Sequence, residues 1–198
     1  MPAARRRAGL TADEVVRAAA EIADETSFAN LTLGLVAERL GVRPPSLYKH
    51  VDGLADLQHR VAILAMTELG EITRDAAAGL AGRDALAAVA HALRGYVTAH
   101  PGRYTATIGA GFTGPDDPLL VASTRLIDSI AAVLRGYGVG EAEVVHAIRT
   151  IRCTLHGFAA LQAASGFQLS GDLDVSFEAL IDFMDSGLRG LAEHGRAS

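Results

Sequence analysis

Residues 42 to 51, Val-Arg-Pro-Pro-Ser-Leu-Tyr-Lys-His-Val, gather side chains suited to gripping a polyanion. Read as a helix, they put Arg43, Pro44, Pro45, Ser46, Tyr48, Lys49 and His50 on an exposed face, while Leu47 and Val51, four apart, turn to the core. Arg or Lys on such a face can neutralise phosphates or make bidentate contacts to guanine in a major groove. A second cluster has different chemistry. His146, Cys153 and His156 are the only grouped reactive side chains, and a thiol beside an imidazole is the raw material of a nucleophile. His146 and Cys153 are two helical turns apart, but no carboxylate stands at matching spacing, and a lone helical thiol is usually only buried. A small helical enzyme using Cys153 and His156 is the alternative reading. The histidines form no HxxxH pair, so no metal site and no cofactor are expected.

The first face must be held by a helix, a tight turn and a second helix, and the flanking sequence supplies them. Thr32 to Leu40 is a short amphipathic segment capped by Thr32 and stopped at Gly41. Pro44 can open the next helix, because first-turn N–H groups have no intrahelical partner to lose. Upstream, a helix is predicted from Thr11 to about Phe28, with a Thr11/Glu14 capping box and an apolar stripe of Val15, Ala18, Ala19 and Ile22. Three such short helices bury little alone and should dock on helices later in the chain.

After the Asp52-Gly53 turn, a connecting helix is predicted from Leu54 to about Ala78, then helices over about Arg83 to Ala99, Pro101 to Ile108 and Leu119 to Tyr137. The eighth and ninth helices, about Glu141 to Ala164 and Asp174 to Glu193, have apolar faces broader than one stripe. Either they pair with a second copy as a four-helix bundle, making a homodimer, or they are core helices of a monomer. No strand, repeat or low-complexity tract appears. The expected fold is all-α, about nine helices, with a helix-turn-helix DNA-binding domain at 1–52 and a ligand-binding and dimerisation domain at 53–198.

Charge and composition agree with that division. The net charge of −5 arises wholly from residues 53–198, since residues 1–52 hold seven basic and seven acidic side chains. A local basic footprint of Arg5, Arg6, Arg7, Arg39, Arg43 and Lys49 can grip phosphates despite an acidic body, because screening limits charge to about 8 Å at physiological salt. One cysteine excludes an internal disulfide. The Arg-rich start has no apolar run after it, and the longest uncharged stretch, 153–171, is broken by polar residues and glycines. A cytoplasmic protein that crosses no membrane is expected.

Leu31-Thr32-Leu33, Val36-Ala37-Glu38-Arg39-Leu40-Gly41-Val42 and Ser46-Leu47-Tyr48-Lys49-His50-Val51 together resemble the head of the TetR (tetracycline repressor) family, over residues 11 to 64. The C-terminal half is similar to a subgroup marked by a Trp-His-Gly motif, here departing as Leu155-His156-Gly157 and followed by Phe158, Leu161, Gly166-Phe167 and Ser176-Phe177. The resemblance implies a ligand-responsive transcriptional repressor that binds a palindromic double-stranded DNA operator as a homodimer, through the last two helices, and is released by a small-molecule effector. It makes Pro44, Pro45, Ser46 and Lys49 base-facing and Thr32, Tyr48 and His50 phosphate-holding, with Arg43 free for either. Tyr48 has a plainer reading, its ring packed on the first helix. Arg5, Arg6 and Arg7 are either a minor-groove arm or a solvated terminus.

For the effector, the candidate pocket residues are Tyr96, Tyr104, Phe112, Arg125, Arg149, His156 and Phe158, an apolar wall with polar handles. His156 could equally be a buried interface histidine. Arg149 and Arg152, three apart, either meet an anionic ligand or pair with Glu143 or Asp182.

Overall fold

Thr11 opens α1, Ala12–Thr26, as half of a reciprocal cap: its hydroxyl accepts the Glu14 N–H at 3.2 Å while the Glu14 carboxylate accepts the Thr11 N–H at 2.8 Å. This holds in a computed structural model that describes residues 9–197, with side chains as far as Glu193. All regular structure among the described residues is helical. Thr32 then caps α2, Leu33–Leu40, by accepting the Leu35 N–H at 3.3 Å. At Gly41 the backbone turns left-handed, φ +65°, and Val42 N–H returns to the Ala37 carbonyl at 2.9 Å. Only a residue without a Cβ takes that conformation at no cost, which is what allows the turn to be this tight.

The third helix of the head differs from expectation. Pro44–Lys49 is a 3-10 helix, not an α-helix, with Ser46 N–H on the Arg43 carbonyl and His50 N–H on the Leu47 carbonyl, both at 2.8 Å. Two adjacent prolines remove two donors, and the Asp52-Gly53 turn comes so soon after that no second α-turn can form. Leu47 and Val51 are nevertheless fully buried, as the four-residue spacing predicts.

The remaining helices are α3 (Leu54–Ala77), α4 (Gly82–Ala99), α5 (Pro101–Ala106), α6 (Pro118–Tyr137), α7 (Glu141–Ala163) and α8 (Leu173–Ala197). None of the described helices is long and apolar enough to cross a membrane. A body core joins α4, α6, α7 and α8 through Leu86, Val89, Leu134, Ile151, Leu155, Phe177 and Ile181. A head core joins Val15, Ile22, Leu31, Val36 and Leu47 to Leu57, Val61 and Ala62 of α3, and it also takes in Ala106 from α5 and Leu119 from α6. The head is therefore finished by side chains that arrive from later in the chain, as three short helices require.

One contact decides how closely head and body meet. Gly102, in the first turn of α5, lies so close to α1 that a Cβ there would fall 2.0 Å from the Ala23 carbonyl oxygen. The obstacle is backbone, so it cannot swing aside. Gly102→Ala is expected to lower stability by about 1–3 kcal/mol through overpacking, measured by urea denaturation. Gly95→Ala on the exposed side of α4, where a Cβ meets nothing within 4 Å, should not destabilise.

Candidate nucleic-acid interface and ligand cavity

The turn and the 3-10 segment give the head one outward face. Arg43, Pro44, Pro45, Tyr48 and Lys49 are exposed, Ser46 and His50 half-buried, and Thr32 exposed while it caps α2. The Tyr48 ring is 60% exposed, so it is not packed away against α1. Arg43 and Lys49 have no ion-pair partner among the described residues, which leaves both charges available to a polyanion. Arg39 does not share that freedom: its guanidinium forks onto Glu25 of α1, with one contact at 3.2 Å, and reaches Glu21 at 3.6 Å. The basic footprint is thus narrower than the sequence count suggests, because the charges nearest Arg39 in space come from another helix. Arg5, Arg6 and Arg7 lie outside the described residues.

Within the helical body lies a cavity of about 530 Å³, within the roughly 300–1,000 Å³ range of small-molecule sites. Met66 and Leu69 of α3, Tyr104 of α5, Leu126 and Ile130 of α6, and Ile148 and Leu155 of α7 wall it, and the loop after α5 closes one side with Gly109, Ala110 and Phe112. Its polar handles are few. The Tyr104 hydroxyl and His156 Nδ1 share a hydrogen bond of 2.9 Å, and burial pushes the phenol pKa up, against a smaller opposing pull from Arg152. Thr107, Ser123, Arg149 and Arg152 complete the polar set.

This arrangement, a helix-turn-helix head on a helical body with a central cavity, matches known regulators. Residues 86–184 match the family described as "Tetracyclin repressor-like, C-terminal domain". An uncharacterized HTH-type transcriptional regulator of Mycobacterium tuberculosis is 33% identical over 191 residues, covering 96% of this chain and 87% of that protein. The chain belongs to the TetR family. A second HTH-type regulator, from Bacillus subtilis, is 32% identical over 92% of this chain and 94% of its own length. The fold is also that of an Acinetobacter baumannii TetR variant solved with minocycline, with TM-score 0.69 and 24% identity over 93% of this chain and 99% of that one. These relatives are transcriptional regulators, and the chain is a regulator of this type and not an enzyme. Cys153 is exposed, where the sequence predicts a buried helical thiol, and His156 Nδ1 is hydrogen-bonded to the Tyr104 hydroxyl.

In this TetR-family chain the structure brings Tyr104, Phe112, Arg149 and His156 to the cavity and leaves Tyr96, Arg125 and Phe158 outside its lining. Tyr96 is buried beside it, donating its hydroxyl to Glu68 at 2.7 Å and packing its ring at a tilt of 59° against His100. Phe158 packs on Phe167 and Phe177, with the Arg94 guanidinium over its ring. Arg125 points to solvent from α6. Residue type alone suggests all three, and type does not reveal which side of a helix faces a space formed by four others.

Asp117 is the site residue that sequence reasoning missed. It is buried and caps α6 by accepting the Leu119 N–H at 2.8 Å; it also accepts the Thr113 N–H at 2.7 Å and meets His59 Nε2 of α3 at 3.0 Å. One carboxylate thereby pins the loop that carries Phe112 to two walls of the cavity. The readable signal is Asp117-Pro118, an N-cap before a proline that can open a helix. The Thr113 and Leu119 backbone donors hold its pKa well below the usual carboxylate range, Thr113 contributing most. A depressed folded pKa gives stability that is complete above the ordinary value of 3.8 and fades as pH falls below it. Asp117→Asn is therefore expected to lower the thermal midpoint at pH 7 by several degrees and by distinctly less at pH 3, a comparison made by circular dichroism melts.

Proposed function

We propose that this regulator is a repressor that holds a palindromic double-stranded operator in the cytoplasm as a homodimer and lets go when a small molecule fills the cavity. Residues 1–52 serve as the DNA-binding domain and residues 53–198 as the ligand-binding and dimerisation domain. Pro44, Pro45, Ser46 and Lys49 meet base edges, and Thr32, Tyr48 and His50 meet phosphates. Arg43, exposed and without an ion pair among the described residues, adds a contact to one or the other, and Arg5, Arg6 and Arg7 track the adjacent minor groove.

The observation that carries the reading is that two helices reach both the cavity and the head. Helix α3 lends Met66 and Leu69 to the cavity and Leu57, Val61 and Ala62 to the head core. Helix α5 places Tyr104 on the cavity, while Gly102 abuts α1 and the Arg103 N–H donates to Asp24 of α1 at 2.8 Å. A ligand that favours one setting of these helices biases the spacing of two heads that must enter major grooves about 34 Å apart.

The homodimer rests on α7 and α8. Phe183 is 81% and Val175 67% exposed, with Leu161 also open, on helices whose other faces are engaged in the body core. Large apolar side chains exposed on adjoining helices call for a covering partner, and a second copy supplies an identical pair.

The direct test uses DNA fragments recovered by the protein from a random pool. Tyr48→Ala and Lys49→Ala are expected to weaken binding at least a hundredfold in fluorescence anisotropy, with dimer mass unchanged. Because a phenol neutralises no phosphate, Tyr48→Ala should weaken binding while leaving the dependence of log affinity on log salt unchanged. Retained affinity in both variants would sink the assignment. Phe183→Asp is expected to halve the mass seen by light scattering and to abolish tight operator binding.

A further inference from the structure

We infer that the ligand taken by this cavity is an amphiphilic anion, an apolar body ending in an oxyanion such as a carboxylate, sulfonate or phosphate. The inference rests on the reading of the cavity as the effector site and adds the ligand's chemistry.

The charge on the cavity is one-sided. Arg149 and Arg152 are three apart on α7 and both line it, yet none of its lining residues is Asp or Glu, in a chain with net charge −5. Elsewhere Arg39, Arg60, Arg83, Arg94, Arg103 and Arg189 each hold a carboxylate within ion-pair distance, while Arg17, Arg43, Arg125 and Arg135, which hold none among the described residues, lie outside the cavity lining. Arg149 and Arg152 hold none among the described residues. The two acids that could have answered them do not: Asp182 is engaged by Arg83 at 2.7 Å, and Glu143 forms no ion pair among the described residues. Two like charges one helical turn apart repel, and a bound anion would remove that cost. Guanidinium groups suit the task, since their planar fork matches an oxyanion bidentately.

The rest of the lining fits the other end of such a molecule. Met66, Leu69, Leu126, Ile130, Ile148 and Leu155 offer only apolar contact, while the Tyr104–His156 pair already satisfies part of its own hydrogen bonding. A cation would meet two uncompensated guanidiniums, and a strongly polar neutral ligand would leave its groups unpaired against aliphatic walls. An apolar body with a single anionic head leaves neither fault.

Two fluorescent probes with a common aromatic body separate charge recognition from simple burial: 8-anilinonaphthalene-1-sulfonate, an anion, and neutral N-phenyl-1-naphthylamine. The native protein is expected to bind the anion about tenfold more tightly or better. In the Arg149→Ala/Arg152→Ala double variant that preference should fall to within about threefold. Both arginines are exposed, so an unchanged melting temperature and unchanged mass in light scattering would show the variant folded. Ser123→Trp, which fills the cavity from α6, should remove both probes.

Equal affinities in the native protein, an undiminished preference in the double variant, or probe binding that survives Ser123→Trp would each overturn the inference. The effector reading is scored separately by operator anisotropy. An anion that binds with the arginine-dependent signature but leaves the operator complex intact would support the ligand chemistry and count against the cavity as an effector site.

Discussion

Asp24 sits in the last turn of α1, where a carboxylate faces the negative end of a helix dipole and would by itself be out of place. It is held there because α5 begins beside it. The Arg103 N–H donates to one oxygen at 2.8 Å, while the Arg103 side chain and His100 Nδ1 meet the other at 3.0 and 3.1 Å. Gly102, with no Cβ to keep the helices apart, makes this approach possible. Arg103 then reaches on to Glu68 of α3, to which Tyr96 of α4 also donates. A partly buried chain of charge-assisted contacts therefore links α1, α3, α4 and α5 at the junction of head and body. Such a network is costly to break at any one member, because each partner would be left desolvated and unpaired.

That junction makes the head and the cavity one mechanical problem. The head cannot complete its core without Leu57, Val61, Ala106 and Leu119, and the helices that supply them also wall the cavity. Tyr104 lies one helical position beyond Arg103, so the residue that touches Asp24 of the head and the residue that bonds His156 in the cavity belong to a single turn. A six-residue helix is short, so the two contacts sit within one rigid turn. Asp117 gives the loop after α5 a fixed attachment to α3 and α6.

The acidic body matters for the same balance of charge. Most of its arginines are neutralised locally, by partners from distant parts of the chain such as Asp182 for Arg83 and Asp174 for Arg94. Arg17, Arg43, Lys49, Arg125, Arg135, Arg149 and Arg152 have no carboxylate partner among the described residues; of these, Arg43 and Lys49 share the outward face of the head, and Arg149 and Arg152 share the lining of the cavity. Under the proposed functions, DNA phosphates would complete the pairing in one place and the head of a ligand in the other.

Much of this molecule is determined by local sequence. Capping by Thr11 and Thr32, the left-handed turn at Gly41, the breaks at Gly79 to Gly82 and at His100-Pro101, and the cap at Gly138 depend on residues within four positions of one another, so helix existence and bounds can be read along the chain. The exposed face from Arg43 to His50 was legible for the same reason, as was the burial of Leu47 and Val51. Even the departure to a 3-10 helix has a local cause in Pro44-Pro45. What the tertiary structure alone decided is everything that depends on which distant groups meet. Arg39 was withdrawn from the basic footprint by Glu25. Tyr96 and Phe158 went to packing while Tyr104 and His156 went to the cavity, and Arg149 and Arg152 were left there without carboxylate partners. A helical period says which residues share a side; only the packing of the other helices says what that side faces.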